Sequence, residues 1–142
     1  MTNTQIRLLT FELLYSFEIQ KISLNEYDEQ IKLFLEYKDI KQEKIEKRLT
    51  ETTIGIKENE DQILNIISQN LKEKWDITRI SKVNITLLKL ALYEIIYNKL
   101  PYKIVVNEAI ELAKKYGEKD STSFINGILA NIIKELDISN EE

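Results

Sequence analysis

A chain of 142 residues has room for one domain with one apolar core, and 43% apolar with 31% charged residues is an ordinary globular balance that excludes disorder throughout. With no cysteine and no histidine it offers no disulfide, no zinc–thiolate site, no thiol nucleophile and none of the commonest general bases. The net charge is −4, yet residues 71–119 hold ten basic and six acidic groups between two acidic flanks, so a nucleic-acid surface should draw on that middle stretch.

Three glycines and one proline are too few for the turns of a sheet-rich fold. The expected fold class is all-α: a single domain over residues 1–142, built as a bundle of about seven helices with short connections. The N-terminal stretch is interrupted by Arg7, Glu12 and Glu18 and is no signal peptide, and no apolar run reaches membrane-spanning length. No membrane partner and a cytoplasmic location are expected.

Residues 4–20 read as an amphipathic helix with Ile6, Leu9, Leu13 and Phe17 on its stripe and Leu14 beside them. Residues 24–37 give a second, carrying Tyr27, Ile31, Phe34 and Leu35. Ile45, Leu49 and Ile56 mark a third that should end near Gly55, and residues 59–73 a fourth, with Ile63, Ile66, Ile67 and Leu71. Trp75 falls in a short link. From Leu87 to Tyr97 only Lys89 and Glu94 are charged, which predicts a buried central helix broken ahead of Pro101. The next helix shows a narrow face of Val106, Ala109, Ile110 and Ala113. Lys114 and Lys115 suit its C-terminal dipole, and Gly117 is a candidate left-handed cap. Ser121 is a candidate N-cap for the last helix, whose apolar side runs Phe124, Ile128, Ile132 and Leu136, with Ile125 and Leu129 beside it. Gly127 in its middle costs about 1 kcal/mol relative to alanine, which close approach of a neighbouring helix would offset.

Three glycines at 55, 117 and 127 cannot form a phosphate loop. The carboxylates Glu94, Glu108 and Glu111 are the remaining candidates for chemistry, but a bundle metal site of the Glu-x-x-His kind has no histidine to use. Solvated ion pairing suits Glu108 and Glu111, and an internal hydrogen bond or ion pair suits Glu94. No catalytic residue, metal or cofactor is expected. Tyr15, Tyr93, Tyr97, Tyr102 and Tyr116 could stack on RNA bases, though tyrosines at helical spacing more often edge a core. Tyr116, beside Lys114, Lys115 and Lys119, has the best case.

The run LLKLALYEIIY, then LPYKIVVNEAIELAKKYG, then DSTSFINGIL, with LLYSFE at 13–18, resembles in order and spacing the NusB family of transcription antitermination factors. The resemblance implies a small all-helical protein that is not an enzyme. It implies pairing with NusE, a small-subunit ribosomal protein. Together the two would bind boxA RNA and join the antitermination complex on RNA polymerase, particularly at ribosomal RNA operons.

The family's RNA-side region corresponds to Tyr116, Lys119, Asp120 and Phe124, and its partner contacts to Tyr15 and Asn84. An arginine-rich N-terminus found in relatives is reduced here to Arg7. Phosphate contacts would then come from Arg7, Lys89, Lys103, Lys114, Lys115 and Lys119, with Tyr15 and Tyr116 offering stacking. Asn84 stands where an acidic residue is common. The alternatives are a protein-docking or homodimeric relative that has lost RNA binding, and the RNA-binding module of an RNA methyltransferase.

Overall fold

The structure is a computed structural model that describes residues 1–72 and 76–138. Among the described residues it has seven α-helices and no strand, as the composition predicts. The helices group into two compact units, Met1–Glu58 and Asn59–Glu142. Trp75 and its predicted link lie outside the described residues.

The first unit holds α1 (Asn3–Gln20), α2 (Tyr27–Tyr37) and α3 (Glu43–Glu58). A reciprocal cap starts α1: the Gln5 N–H donates to Thr2 Oγ1 at 3.1 Å, and the Thr2 N–H donates to Gln5 Oε1 at 2.8 Å. Ile6, Leu9, Leu13 and Phe17 then meet Tyr27, Ile31 and Leu35 of α2 and Ile45 and Leu49 of α3 in one cluster. The Phe17 and Tyr27 rings lie 4.4 Å apart. The second predicted helix begins three residues late because Ser23 and Glu26 fold Leu24–Glu26 into a 3₁₀ turn. The third continues past Gly55 to Glu58. Glycine weakens a helix by about 1 kcal/mol but does not by itself stop one.

The second unit holds α4 (Glu60–Gln69), α5 (Lys82–Leu92), α6 (Tyr102–Tyr116) and α7 (Ser121–Glu135). Helix α5 packs against α4, α6 and α7. Every side chain from Ile85 to Leu92 is buried, so its polar members must find partners inside. The Thr86 hydroxyl donates to the Lys82 carbonyl at 2.7 Å. Lys89 Nζ meets Glu60 Oε2 of α4 at 2.8 Å. Beyond Leu92 the helix widens into a π turn over Tyr93–Tyr97. Tyr93 and Tyr97 are half-buried there rather than central, and Tyr97 donates to Gln62 Oε1 at 2.6 Å.

Four helical segments end on residues other than glycine in the left-handed region: Lys21 (φ 54°), Asp39 (57°), Lys99 (56°) and Asp137 (52°). That conformation costs an L-residue about 1–2 kcal/mol. Each is followed by an apolar residue whose amide turns back to the helix: Ile22 to Phe17 O (3.2 Å), Ile40 to Leu35 O (2.9 Å), Leu100 to Glu94 O (3.0 Å) and Ile138 to Ile133 O (3.1 Å). The recovered hydrogen bond and the half-buried apolar side chain offset the strain.

Three local expectations fail for identifiable reasons. Gly117 is extended (φ −87°, ψ −178°), not left-handed. Its value is space, since a Cβ there would lie 2.5 Å from Ser121 Cβ and 2.7 Å from the Ala113 carbonyl oxygen. Ser121 does not cap α7, because its hydroxyl accepts the Glu118 N–H of the preceding turn at 2.9 Å. Among the described residues Gly127 has no close neighbour, as nothing lies within 4 Å of a Cβ built on it. The apolar faces also shift slightly. Val105, Ala109 and Ala113 are the buried side of α6, and Ile125, Ile128, Leu129 and Ile132 that of α7. Val106, Ile110 and Phe124 are half-buried and Leu136 is exposed.

The two glycines predict opposite responses. Gly127→Ala should stabilise the protein by about 0.5–1 kcal/mol, and Gly117→Ala should destabilise it by about 1–3 kcal/mol, both read from urea denaturation midpoints. Lys89→Ala should cost about 2–3 kcal/mol, less than a fully buried pair because Glu60 keeps some hydration; the double variant Lys89→Met, Glu60→Gln should recover most of it in the same measurement.

Candidate nucleic-acid interface

The turn between α6 and α7 gathers the largest group of expected site residues. Helix α6 ends on Lys114 and Lys115, both exposed, and on half-buried Tyr116. Lys115 Nζ lies 5.3 Å from the centre of the Tyr116 ring, a cation–π contact. Lys114 Nζ lies 3.3 Å from Glu111 Oε2, an exposed pair one helical turn apart that is too hydrated to hold the lysine back. This is the solvated ion pairing expected of Glu111.

The tight Gly117–Ser121 approach then folds the chain back at once. The Ser121 N–H donates to the Glu118 carbonyl at 3.0 Å, closing a short turn that leaves Lys119 and Asp120 exposed. Asp120 precedes α7 without capping it, so its carboxylate is not spent on the helix. Phe124 sits one turn into α7, where its amide donates to the Asp120 carbonyl at 3.0 Å.

The start of α5 faces this turn. Ser81 Oγ accepts the Asn84 N–H at 3.1 Å and caps the helix. Just upstream, Asp76 accepts the Thr78 N–H at 2.9 Å and shapes the 3₁₀ turn Ile77–Arg79. That backbone hydrogen bond holds the Asp76 carboxyl below its ordinary pKa, with the nearby Arg79 adding a small pull in the same direction. The contribution of this cap is therefore present above the usual carboxylate range and fades as pH falls through the lowered value.

Between the two elements lies a groove of about 250 Å³ lined by Arg79, Ser81, Asn84, Lys119, Asp120 and Phe124, with Ile80, Glu118 and Ser121 completing it. Four expected residues, Asn84, Lys119, Asp120 and Phe124, thus share one surface. Arg79 joins them unanticipated. Its signal in the sequence is its place two residues ahead of a helix-capping serine within the one basic segment.

The other expected residues lie elsewhere. Lys103 is exposed at the start of α6, on a separate groove of about 660 Å³ between α6 and α7 whose apolar lining includes Val106, Ile110, Ala130 and Ile133. Tyr15 is half-buried on α1, its ring centre 6.0 Å from that of Phe11. Arg7 is only 7% exposed and Lys89 only 6%. Lys89 is also engaged with Glu60, so neither cation presents itself for phosphate, and both fit that expected role poorly. Their long apolar stems let them sit in core positions while the head group finds a partner. Glu94 is likewise buried. Among the described residues no helix is long and apolar enough to cross a membrane, and no cluster of three acidic side chains could hold a metal ion.

Comparison with known proteins gives a consistent result. The profile of the NusB family matches residues 4–134. Transcription antitermination protein NusB of Clostridium acetobutylicum is 41% identical over 134 residues, covering 94% of this chain and 96% of its own length. That of Clostridium novyi is 38% identical over 136 residues, covering 94% and 99%. These names describe antitermination proteins rather than enzymes. Among solved structures, NusB of T. maritima superposes with a TM-score of 0.81 at 33% identity, over 95% of this chain and 92% of that one. The antitermination factors NusB and NusE in complex with dsRNA give a chain matching with a TM-score of 0.80 at 25% identity, over 95% and 99%. With a family match across nearly its whole length, this chain belongs to the NusB family.

Proposed function

We propose that this chain is a transcription antitermination factor that binds RNA of the boxA type jointly with NusE and acts within an RNA polymerase antitermination complex, chiefly on ribosomal RNA operons in the cytoplasm. The observation that carries the reading is the run from Lys114 to Phe124, whose three lysines are exposed and whose two aromatic rings are half-buried. It sets three lysines and two aromatic rings along one turn, next to a groove that holds another cation and several hydrogen-bonding groups. Cations for phosphates and aromatics for unstacked bases are what single-stranded RNA requires. Further support comes from relatives named as antitermination proteins, and from a structural neighbour that is a complex of NusB, NusE and dsRNA.

The burial of Arg7 and Lys89 sharpens the proposal. Fewer exposed cations mean fewer released counterions and weaker binding by the chain alone. Joint binding with NusE, with Tyr15 among the partner contacts and Lys103 as a peripheral phosphate contact, supplies the remainder. The same burial favours the second reading, a protein-docking or homodimeric relative with little RNA affinity of its own.

Titration of boxA RNA and a scrambled control, with and without NusE and at two salt concentrations, separates them. The antitermination reading expects boxA-selective binding that tightens with NusE. The protein-docking reading expects NusE or self-association without RNA binding. In the first case, the double variant Lys114→Ala, Lys115→Ala should weaken both RNAs together by roughly tenfold. It should also flatten the log–log salt slope by about 0.7 for each phosphate no longer neutralised. An unchanged slope would remove these lysines from the interface.

A further inference from the structure

The groove of about 660 Å³ between the first half of α6 and the second half of α7 takes no part in the RNA turn described above. Val106, Ile110, Ala130 and Ile133 give it an apolar lining, and Lys103 and Lys134 line it against a single acid, Asp137. The neighbouring face of α7 is unusual for a solvated surface. In a chain with 31% charged residues, no charge falls between Asp120 and Lys134. Yet Ser123, Asn126, Gly127, Ala130 and Asn131 are all exposed. Depletion of charge is what distinguishes the core of a protein interface from ordinary surface. Gly127, in the middle of this face, costs the helix about 1 kcal/mol. Among the described residues nothing lies within 4 Å of a Cβ built there, so the packing around it recovers none of that cost. The open space lets a second backbone come close.

We propose that this surface docks an amphipathic, acidic helix of a partner protein. Its apolar side chains enter the groove between α6 and α7, and its flanking carboxylates meet Lys103 and Lys134. An apolar groove between two helices suits a third helix laid along it. The charge of that helix follows from the lining and from the start of α6. Among the described residues no side chain caps α6, and its first turn carries no acid, so its N-terminal amides add to the positive potential. RNA fits the lysines but not the apolar lining. The chain's own α2 has exposed Leu33 and Tyr37 beside Glu29 and Glu36, but a head-to-tail contact between copies grows into rings or filaments rather than a discrete complex.

The test titrates the full chain with a short designed helix bearing a leucine stripe flanked by glutamates. The controls are the same helix with lysines for glutamates, and with serines for leucines. The leucine–glutamate helix should bind roughly tenfold more tightly than either control. Its amide shifts should fall on residues 102–110 and 126–138. Ala130→Asp, at an exposed position, should weaken it by a similar factor, and Lys134→Glu should turn the preference toward the lysine helix; melting curves confirm that both variants fold. Equal binding of the three peptides, affinities unchanged in both variants, or shifts outside those segments overturns the proposal. Displacement of the peptide by NusE or boxA RNA would assign the groove to that ligand instead. A concentration-dependent mass increase abolished by Ala130→Asp would assign it to a second copy, and either result overturns the proposal too. NusE and boxA RNA are also titrated alone against Ala130→Asp, where unchanged affinities are expected, so the groove can fail while the antitermination reading stands.

Discussion

The second unit is organised by a helix with no solvent face. From Ile85 to Leu92 every side chain of α5 is buried, so three other helices must be held against it at packing distance. That requirement explains the small residues Ala109 and Ala113 on the α6 face and the run of Ile125, Ile128, Leu129 and Ile132 on α7. It explains why Lys89, a cation within that run, is matched by Glu60 from α4. A charge in that position without a partner would oppose folding.

The candidate interface is a by-product of the same packing. Because α6 and α7 both lie on α5, the chain must reverse between them within a few residues. Gly117 permits this by letting Ser121 come close, and Ser121 in turn satisfies the Glu118 amide. The reversal leaves Lys119 and Asp120 projecting and brings them to the capped start of α5, with Arg79 and Asn84. The basic segment thus divides into two populations. Lys89 is spent on the core, while Lys114, Lys115 and Lys119 stay exposed on rigid helix ends and a short turn. Exposed cations such as these, with Arg79 and Lys103 beside them, remain able to exchange counterions for phosphate, whereas Lys89 does not.

Much of this architecture is legible in the sequence, because helical periodicity and the buried helix are signals spread over many residues. Spacing alone places Ile31, Leu49, Ile63 and Leu88 inside, and each is fully buried. Single-residue features are harder to read. Position 117 invites a left-handed glycine, whereas the chain puts lysine or aspartate before an apolar residue at four helix ends, a pattern that composition hides. Exposure is the least legible property. Arg7 looks like an N-terminal phosphate ligand until it is seen to lie on the buried side of α1 with Ile6, Leu9 and Thr10, whereas Arg48 on α3 is exposed. The groove has no sequence signature, because it joins residues 79–84 to 118–124, a proximity set by how α5, α6 and α7 pack.

Amide chemical-shift mapping addresses the central claim most directly. Isotope-labelled chain bound to unlabelled NusE would be titrated with boxA RNA, and the amides that respond to RNA identified. The account predicts that the perturbations concentrate at residues 79–84 and 114–124. Perturbations confined to α2 and α3, with those two segments silent, would contradict it.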